Sequence, residues 1–257
     1  MKQEIEYGNL IWEDGKPFTK AIWIPCNKEN ARFQKPKNFK LPEEPTVEWW
    51  GSRAIPKNTI QFIAGCDPFQ NNITEDTVNS KASAAVLNRY ENGTNNDIYN
   101  RMFVMKYHAR PATAELLHID MAMMCFLFGC QIAIENVRDG GMIKFFEDNG
   151  LDAFLFRLTN RVNPGIYPDS NHKALLVNLW EHYIENEGRQ GKLIYPDVID
   201  DDQDGLVKFN INDTEKSNQV MGLGWTLVAD YYRKANLRPP KKQTTVLDYF
   251  PYFKNAI

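Results

Sequence analysis

Apolar positions along the chain cluster into short uncharged runs and longer helical stretches. Phe62-Ile63-Ala64-Gly65-Cys66 carries no charge and stops at Asp67-Pro68. Such a run suits a central strand covered on both faces, and a proline cannot continue the hydrogen-bond ladder. Gln131-Ile132-Ala133-Ile134 has the same design and stops at Glu135. Between them the pattern predicts strands over Ala82–Tyr90 and Asp97–Tyr107, joined by the polar turn Glu91–Asn96. With a first strand over Thr59–Cys66 these form a three-strand meander. Pro111 opens a long apolar helix, Ala112–Phe128, which Gly129 ends. A helical crossover of that length makes Gln131–Glu135 parallel to the first strand.

Beyond it the pattern predicts a short helix over Met142–Asp148 and a fifth strand over Leu151–Leu158. An amphipathic helix follows over His172–Asn186, with Leu175, Leu176, Leu179 and Tyr183 on one face. Lys192–Tyr195 has the character of a short edge strand, and Asp213 that of the N-cap of a last helix reaching about Arg233. The order β-β-β-α-β-α-β predicts an α/β fold, a mixed five-stranded sheet flanked by helices.

The ends of the chain look different. Tyr7–Trp12, the turn Glu13-Asp14-Gly15 and Phe18–Ile24 predict a β-hairpin. Cys26–Pro45 is rich in Lys, Asn and Pro and reads as an extended connector. Residues 1–58 are therefore expected to be an N-terminal hairpin appendage and connector, and residues 59–257 the main domain. Trp49 and Trp50 either anchor the connector by packing or offer a surface for stacking on bases. Gln70–Ser80 is a polar loop beside Asp67, and Asn160–Ser170 a loop with Pro and Gly. Asp200–Gly205 superficially resembles a calcium loop, but Ile211 occupies its twelfth position, so it reads as an acidic surface turn. The aromatic tail Leu237–Ile257 is expected to lie across the domain surface.

Composition narrows the function classes. The 257 residues have the make-up of a globular protein, with no apolar run near the roughly 20 residues of a membrane span and a polar N-terminus unlike a signal peptide. The expectation is a soluble protein. Of the four cysteines none forms a CxxC pair, and Cys66, Cys125 and Cys130 lie in apolar stretches, which points to reduced core thiols in a reducing compartment. A net charge of −3 leaves only local basic surface, for which Lys35, Lys37, Lys40, Arg238, Lys241 and Lys242 are candidates; such runs equally make a solvated face. The chain has no phosphate-binding Walker loop, no zinc spacing of His and Cys, and no nucleophile elbow. The acids remain. Asp67 alone reads equally as the cap of the next turn. Two carboxylates at adjacent parallel strand ends can instead share divalent cations, which take oxygen ligands and promote phosphodiester hydrolysis as a pair.

The series of short motifs resembles a known family. Ala64-Gly65-Cys66-Asp67-Pro68, Tyr107-His108-Ala109-Arg110-Pro111, Ile132-Ala133-Ile134-Glu135-Asn136 with Gly140-Gly141, Asn163-Pro164-Gly165-Ile166 and Thr214–Met221 follow one another over about residues 59 to 233. Together they are similar to the C-terminal nuclease domain of the large terminase subunit of tailed bacteriophages, which has an RNase H-like fold. The resemblance implies an endonuclease that cuts concatemeric double-stranded DNA with two Mg²⁺ or Mn²⁺ ions. Asp67 matches the first metal ligand, Glu135 the second and Asn218 the third, where the family carries Asp. An amide offers one neutral carbonyl oxygen, so the resemblance implies a weakened centre. Asp213 is the nearest other acid, but five residues upstream on a helix it points about 140° away.

The resemblance further implies a terminase ATPase domain, a small terminase subunit and a portal as partners, no membrane, and the cytoplasm of an infected bacterial host. The family's motor has no counterpart in these residues, so residues 1–58 would be the end of its linkage to the nuclease. Lys81, Arg110, Arg138 and Lys144 are candidates for phosphate contacts or for solvated surface charge. The alternatives are a catalytically inactive DNA-binding or portal-docking module, and another RNase H-like enzyme such as a transposase or resolvase.

Overall fold

A computed structural model describes residues 4–43, 45–69, 81–89, 98–136, 141–159, 161–192, 195, 197–198, 205–211 and 217–237. The strands are β1 (Ile5–Trp12), β2 (Ala21–Pro25), β3 (Phe33–Pro36), β4 (Val47–Trp50), β5 (Arg53–Pro56), β6 (Phe62–Asp67), β7 (Ala82–Asn88), β8 (Met102–Ala109) and β9 (Gln131–Ile134). The helices are α1 (Ala114–Phe128), α2 (Gly141–Asp148), α3 (Ser170–Tyr183) and α4 (Asn218–Leu237).

One mixed sheet runs β2-β1-β3-β8-β7-β6-β9, and β4-β5 form a separate hairpin. Among the described strands of the large sheet, only the β6–β9 pair is parallel. Its inner strands are apolar on both sides because each face meets a different helical layer. Phe62, Ala64 and Cys66 join the core with α1 and α2, whereas Ile63 joins the core with α3 and α4. The same alternation splits Val86 from Leu87, and Ile132 from Ala133. Thr113 caps α1 by accepting the Leu116 N–H, and Gly129 ends the helix at φ 62°.

The sheet has seven strands, not the five expected. Residues read as connector supply β3, which pairs with β1 on one side and with β8 on the other. The β1–β2 hairpin is therefore continuous with the large sheet rather than an appendage to it. Phe33 is buried 4.9 Å from the Tyr107 ring, and Arg32 makes a bidentate pair with buried Asp120 at 2.7 and 3.0 Å. Leu151–Leu158 is not a regular strand. A 3₁₀ turn occupies Asp152–Phe154, and a single parallel bridge joins Leu155 to Ile132. The β4–β5 hairpin was also unforeseen. Trp49 reaches the Phe126 ring at 6.4 Å, but Trp50 is 67 % exposed and anchors nothing in the core.

α3 starts one turn earlier than its apolar stripe, capped by Asp169, and runs into a π-helical turn over Ile184–Gly188. The expected cap Asp213, the loop Gln70–Ser80, the turn Glu91–Asn96, most of the acidic Asp200–Gly205 stretch, Leu193 and Ile194, and the tail beyond Leu237 lie outside the described residues. Cys66, Cys125 and Cys130 are buried free thiols. Among the described residues no helix is long and apolar enough to cross a membrane.

Helix α4 lies along β6 and β7 at a separation only glycine permits. A Cβ on Gly65 would stand 2.3 Å from the Thr226 backbone nitrogen, and one on Gly222 would stand 2.4 Å from the Ser83 carbonyl oxygen. Both obstacles are backbone, so neither can yield by rotating a side chain.

Candidate metal centre

Asp67 closes β6, and the parallel register carries its neighbour Cys66 opposite Ile134. The Glu135 N–H then donates to the Cys66 carbonyl at 2.9 Å, so the two acids leave adjacent strands at the same end of the sheet. Glu135 is held from the far side as well. The Ile166 N–H donates to the Ile134 carbonyl at 2.8 Å and the Asn136 N–H to the Ile166 carbonyl at 2.9 Å. Gly165 makes this approach possible at φ 88°, where a Cβ would meet the Ile134 oxygen at 2.7 Å. The Asn163–Ile166 motif thus has a local physical role: it pins the second acid.

The carboxyls themselves meet. Glu135 and Asp67 share a side-chain hydrogen bond, and the Trp225 Nε1–H donates to Glu135 Oε2 at 2.7 Å. Trp225 lies on buried α4, and a helical side chain leans toward the helix N-terminus, here toward the strand ends. Burial raises the Glu135 pKa above its ordinary 4.5; the Trp225 and Asp67 bonds and the charge of Lys173 offset this only in part. Two carboxyls in contact, one of them buried, need either a shared proton or a cation between them. The same burial, with the Asp67 and Glu135 charges beside it, pushes the Cys66 thiol well up, so it stays protonated and inert as a nucleophile.

Asn218 stands at the same end of the sheet. It is the first residue of α4, and its Nδ2 donates to the Lys81 carbonyl at 2.6 Å, two residues before Ser83, which pairs with Asp67. This bond needs a donor, which an aspartate lacks. Next to it, wholly buried Lys106 on β8 bonds Gln219 Oε1 at 2.8 Å and also Asp197, fixing the first turn of α4. Among the described residues no three His, Cys, Asp or Glu side chains form a group that could hold a metal ion. Asp67 and Glu135 are brought together; Asn218 is at their end of the sheet with its amide tied to Lys81, just before β7.

Of the basic candidates, Lys81 is exposed, the Arg110 guanidinium lies 5.3 Å from the Phe69 ring centre, and Lys144 pairs with Asp148 one helical turn away. Arg138 lies outside the described residues. Trp225 and Lys173 were not legible as site residues. Trp225's only signal is an indole between Gly224 and Thr226 in a helix with two close-packing glycines.

The raised Glu135 pKa gives a signed prediction. The folded protein binds this proton at a pH where the unfolded chain has lost it, so stability falls as pH rises from 4.5 through the raised value. Denaturant midpoints measured across that window in a chelator should show the fall. Glu135→Gln should flatten it, and an unchanged slope in that variant would assign it to another group.

No protein-family model matches the chain, and no curated protein matches it.

Proposed function

We propose that this chain is a metal-dependent endonuclease of the terminase type, with an RNase H-like fold, acting on double-stranded DNA through Asp67 and Glu135. The observation that carries the reading is the meeting of these two carboxyls at the ends of adjacent parallel strands. A three-strand meander with a further strand parallel to the first is the arrangement the reading calls for, and β6, β7, β8 and β9 are consistent with it.

The donor set suits a hard cation. Asp67 and Glu135 offer carboxylate oxygens, which Mg²⁺ and Mn²⁺ prefer, and a cation between them would offset the burial that raises the Glu135 pKa. Asn218 adds at most a neutral carbonyl oxygen. When bound, such ions activate a water and neutralise the leaving oxygen. The chain's own residues set the stage for that chemistry. Trp225 engages one Glu135 oxygen and so fixes the orientation of the carboxyl toward Asp67. Lys173 adds positive charge on the α3 side, and exposed Lys81 offers a sequence-independent phosphate contact whose strength falls with salt. The ATPase domain, small terminase subunit, portal and host cytoplasm rest on the resemblance alone.

A second reading, a catalytically silent DNA-binding or portal-docking module, draws on the Asn218–Lys81 bond, which uses the amide as an amide. Plasmid cleavage in Mg²⁺ and in Mn²⁺ separates the two. Asn218→Asp should cut on the order of 10–100-fold faster than the chain as it stands, the size of effect that perturbing a metal site produces. Its thermal midpoint should drop slightly, because the Lys81 carbonyl loses its donor. Equal cutting by both proteins would remove Asn218 from the ligand set. Silence of both folded proteins in either metal would leave the binding module as the better reading.

A further inference from the structure

Helix α4 begins with Asn218 at the acid end of the sheet and runs to the opposite end. There Arg233 donates to Gln131 Oε1 at 3.0 Å and to Thr59 Oγ1 at 3.2 Å. Gln131 opens β9 and Thr59 precedes β6, so both mark the end away from Asp67 and Glu135. The helix stops at Leu237, and Arg238-Pro239-Pro240 follows. Two prolines in a row cannot continue a helix, because neither offers an N–H. The sequence then reads Lys241-Lys242-Gln243-Thr244-Thr245-Val246-Leu247-Asp248-Tyr249-Phe250, outside the described residues.

The order of side chains in that stretch selects a partner. Gln243 is followed by an aliphatic residue three positions on, Val246, and by an aromatic pair six and seven positions on, Tyr249 and Phe250. Val246, Tyr249 and Phe250 have the i, i+3, i+4 spacing of anchors that enter one apolar groove together. A glutamine amide both donates and accepts, so Gln243 suits a subsite of backbone polar groups beside that groove. Lys241 and Lys242 call for an acidic rim. Nucleic acid is a poorer fit: phosphates need only the lysines, and Asp248 beside the aromatic pair repels them. An apolar groove, a polar subsite and this spacing describe the peptide-docking site of ring-shaped DNA sliding clamps. They capture a glutamine, an aliphatic residue three on and a closing aromatic pair. We propose that residues 241–250 dock this chain on a sliding clamp. The chain leaves α4 at the end remote from Asp67, so a clamp bound beyond it need not cover the acids. The proposal does not require the acids to be active, and its test is a binding measurement.

Isothermal titration calorimetry of the full chain with a purified homotrimeric sliding clamp tests it. One chain should bind each clamp subunit with a Kd of roughly 1–100 μM. Tyr249→Ala/Phe250→Ala should weaken binding about 30-fold or more, because buried aromatic anchors dominate such interfaces. Gln243→Ala should weaken it several-fold, and as the milder change it keeps the test decisive where the aromatic variant fails to fold. A third variant keeps every side chain and breaks only the spacing. One alanine inserted between Leu247 and Asp248 should weaken binding as much as loss of the aromatic pair. Three results would overturn the proposal: no binding of the clamp by the wild type, clamp binding that the folded insertion variant retains in full, or binding of a DNA duplex in place of the clamp.

Discussion

Replacing Asp67 by Ala is expected to abolish metal-dependent strand cleavage while leaving the protein folded. The test is made in the Asn218→Asp background, where the proposed function expects the strongest activity. Charge stabilisation by a bound metal is worth several kcal/mol, and about 1.4 kcal/mol is tenfold in rate, so losing a shared ligand should cost at least about 10²-fold. The structural cost is small by comparison. Asp67 is the last residue of β6, it is partly exposed, and its partner Glu135 keeps the Trp225 bond and the backbone bonds on both sides. The variant loses the hydrogen bond shared with Glu135 but leaves one carboxyl in place of a crowded pair, so the thermal midpoint should change little. Asp67→Asn separates charge from size: it should be as silent as the alanine variant, because an amide oxygen is a poor substitute for a carboxylate on a hard cation. Undiminished cutting by Asp67→Ala, from preparations free of contaminating nuclease, would move the chemistry elsewhere.

The two acids were readable from the sequence because of the way their strands are buried. A strand covered on both faces shows no alternation, so Phe62–Cys66 and Gln131–Ile134 stand out as uncharged runs and the acid at each end marks an exit. The partners of those acids were not readable. Trp225 lies 90 residues from Glu135, and only the close passage of α4 over the strands, at Gly65 of β6 and with its own Gly222 against Ser83 of β7, brings its indole to the carboxyl. Strand β3 failed as a pattern for another reason. Phe33-Gln34-Lys35-Pro36 is short, half polar and ends in proline, and its strand character comes from its neighbours. Phe33 is buried against Tyr107, and the buried Lys35 ammonium is carried by Glu6 on β1 at 2.7 Å. Leu151–Leu158 errs the opposite way. Its apolar residues are buried on both sides like those of a strand, yet the 3₁₀ turn at Asp152 leaves room for a single bridge to β9.

Asp230→Ala is expected to destabilise the fold by about 3–5 kcal/mol. Asp230 on α4 accepts from Arg89 Nε at 2.8 Å and from Arg101 Nη1 at 2.6 Å. The Arg89 and Asp230 side chains are only 3 % and 4 % exposed. Arg89 also donates to the Thr59 and Ile60 carbonyls, which keeps its guanidinium in place when the carboxylate is gone. The variant therefore leaves a buried cation without its counter-charge, which costs more than the pair itself is worth. Chemical denaturation should show the loss, and a change below about 1 kcal/mol would mean that water or a rearranged Glu187, 3.8 Å from Arg101, takes over the charge. The double variant Arg89→Met/Asp230→Ala should recover part of the stability, since it removes both buried charges. The triad also bears on the candidate site. It is the far anchor of the helix whose first turn carries Asn218 and whose middle carries Trp225, with Lys106 and Gln219 as the near anchor. A folded Asp230→Ala protein should for that reason bind Mn²⁺ more weakly than the wild type, although the substitution lies three helical turns from Asn218.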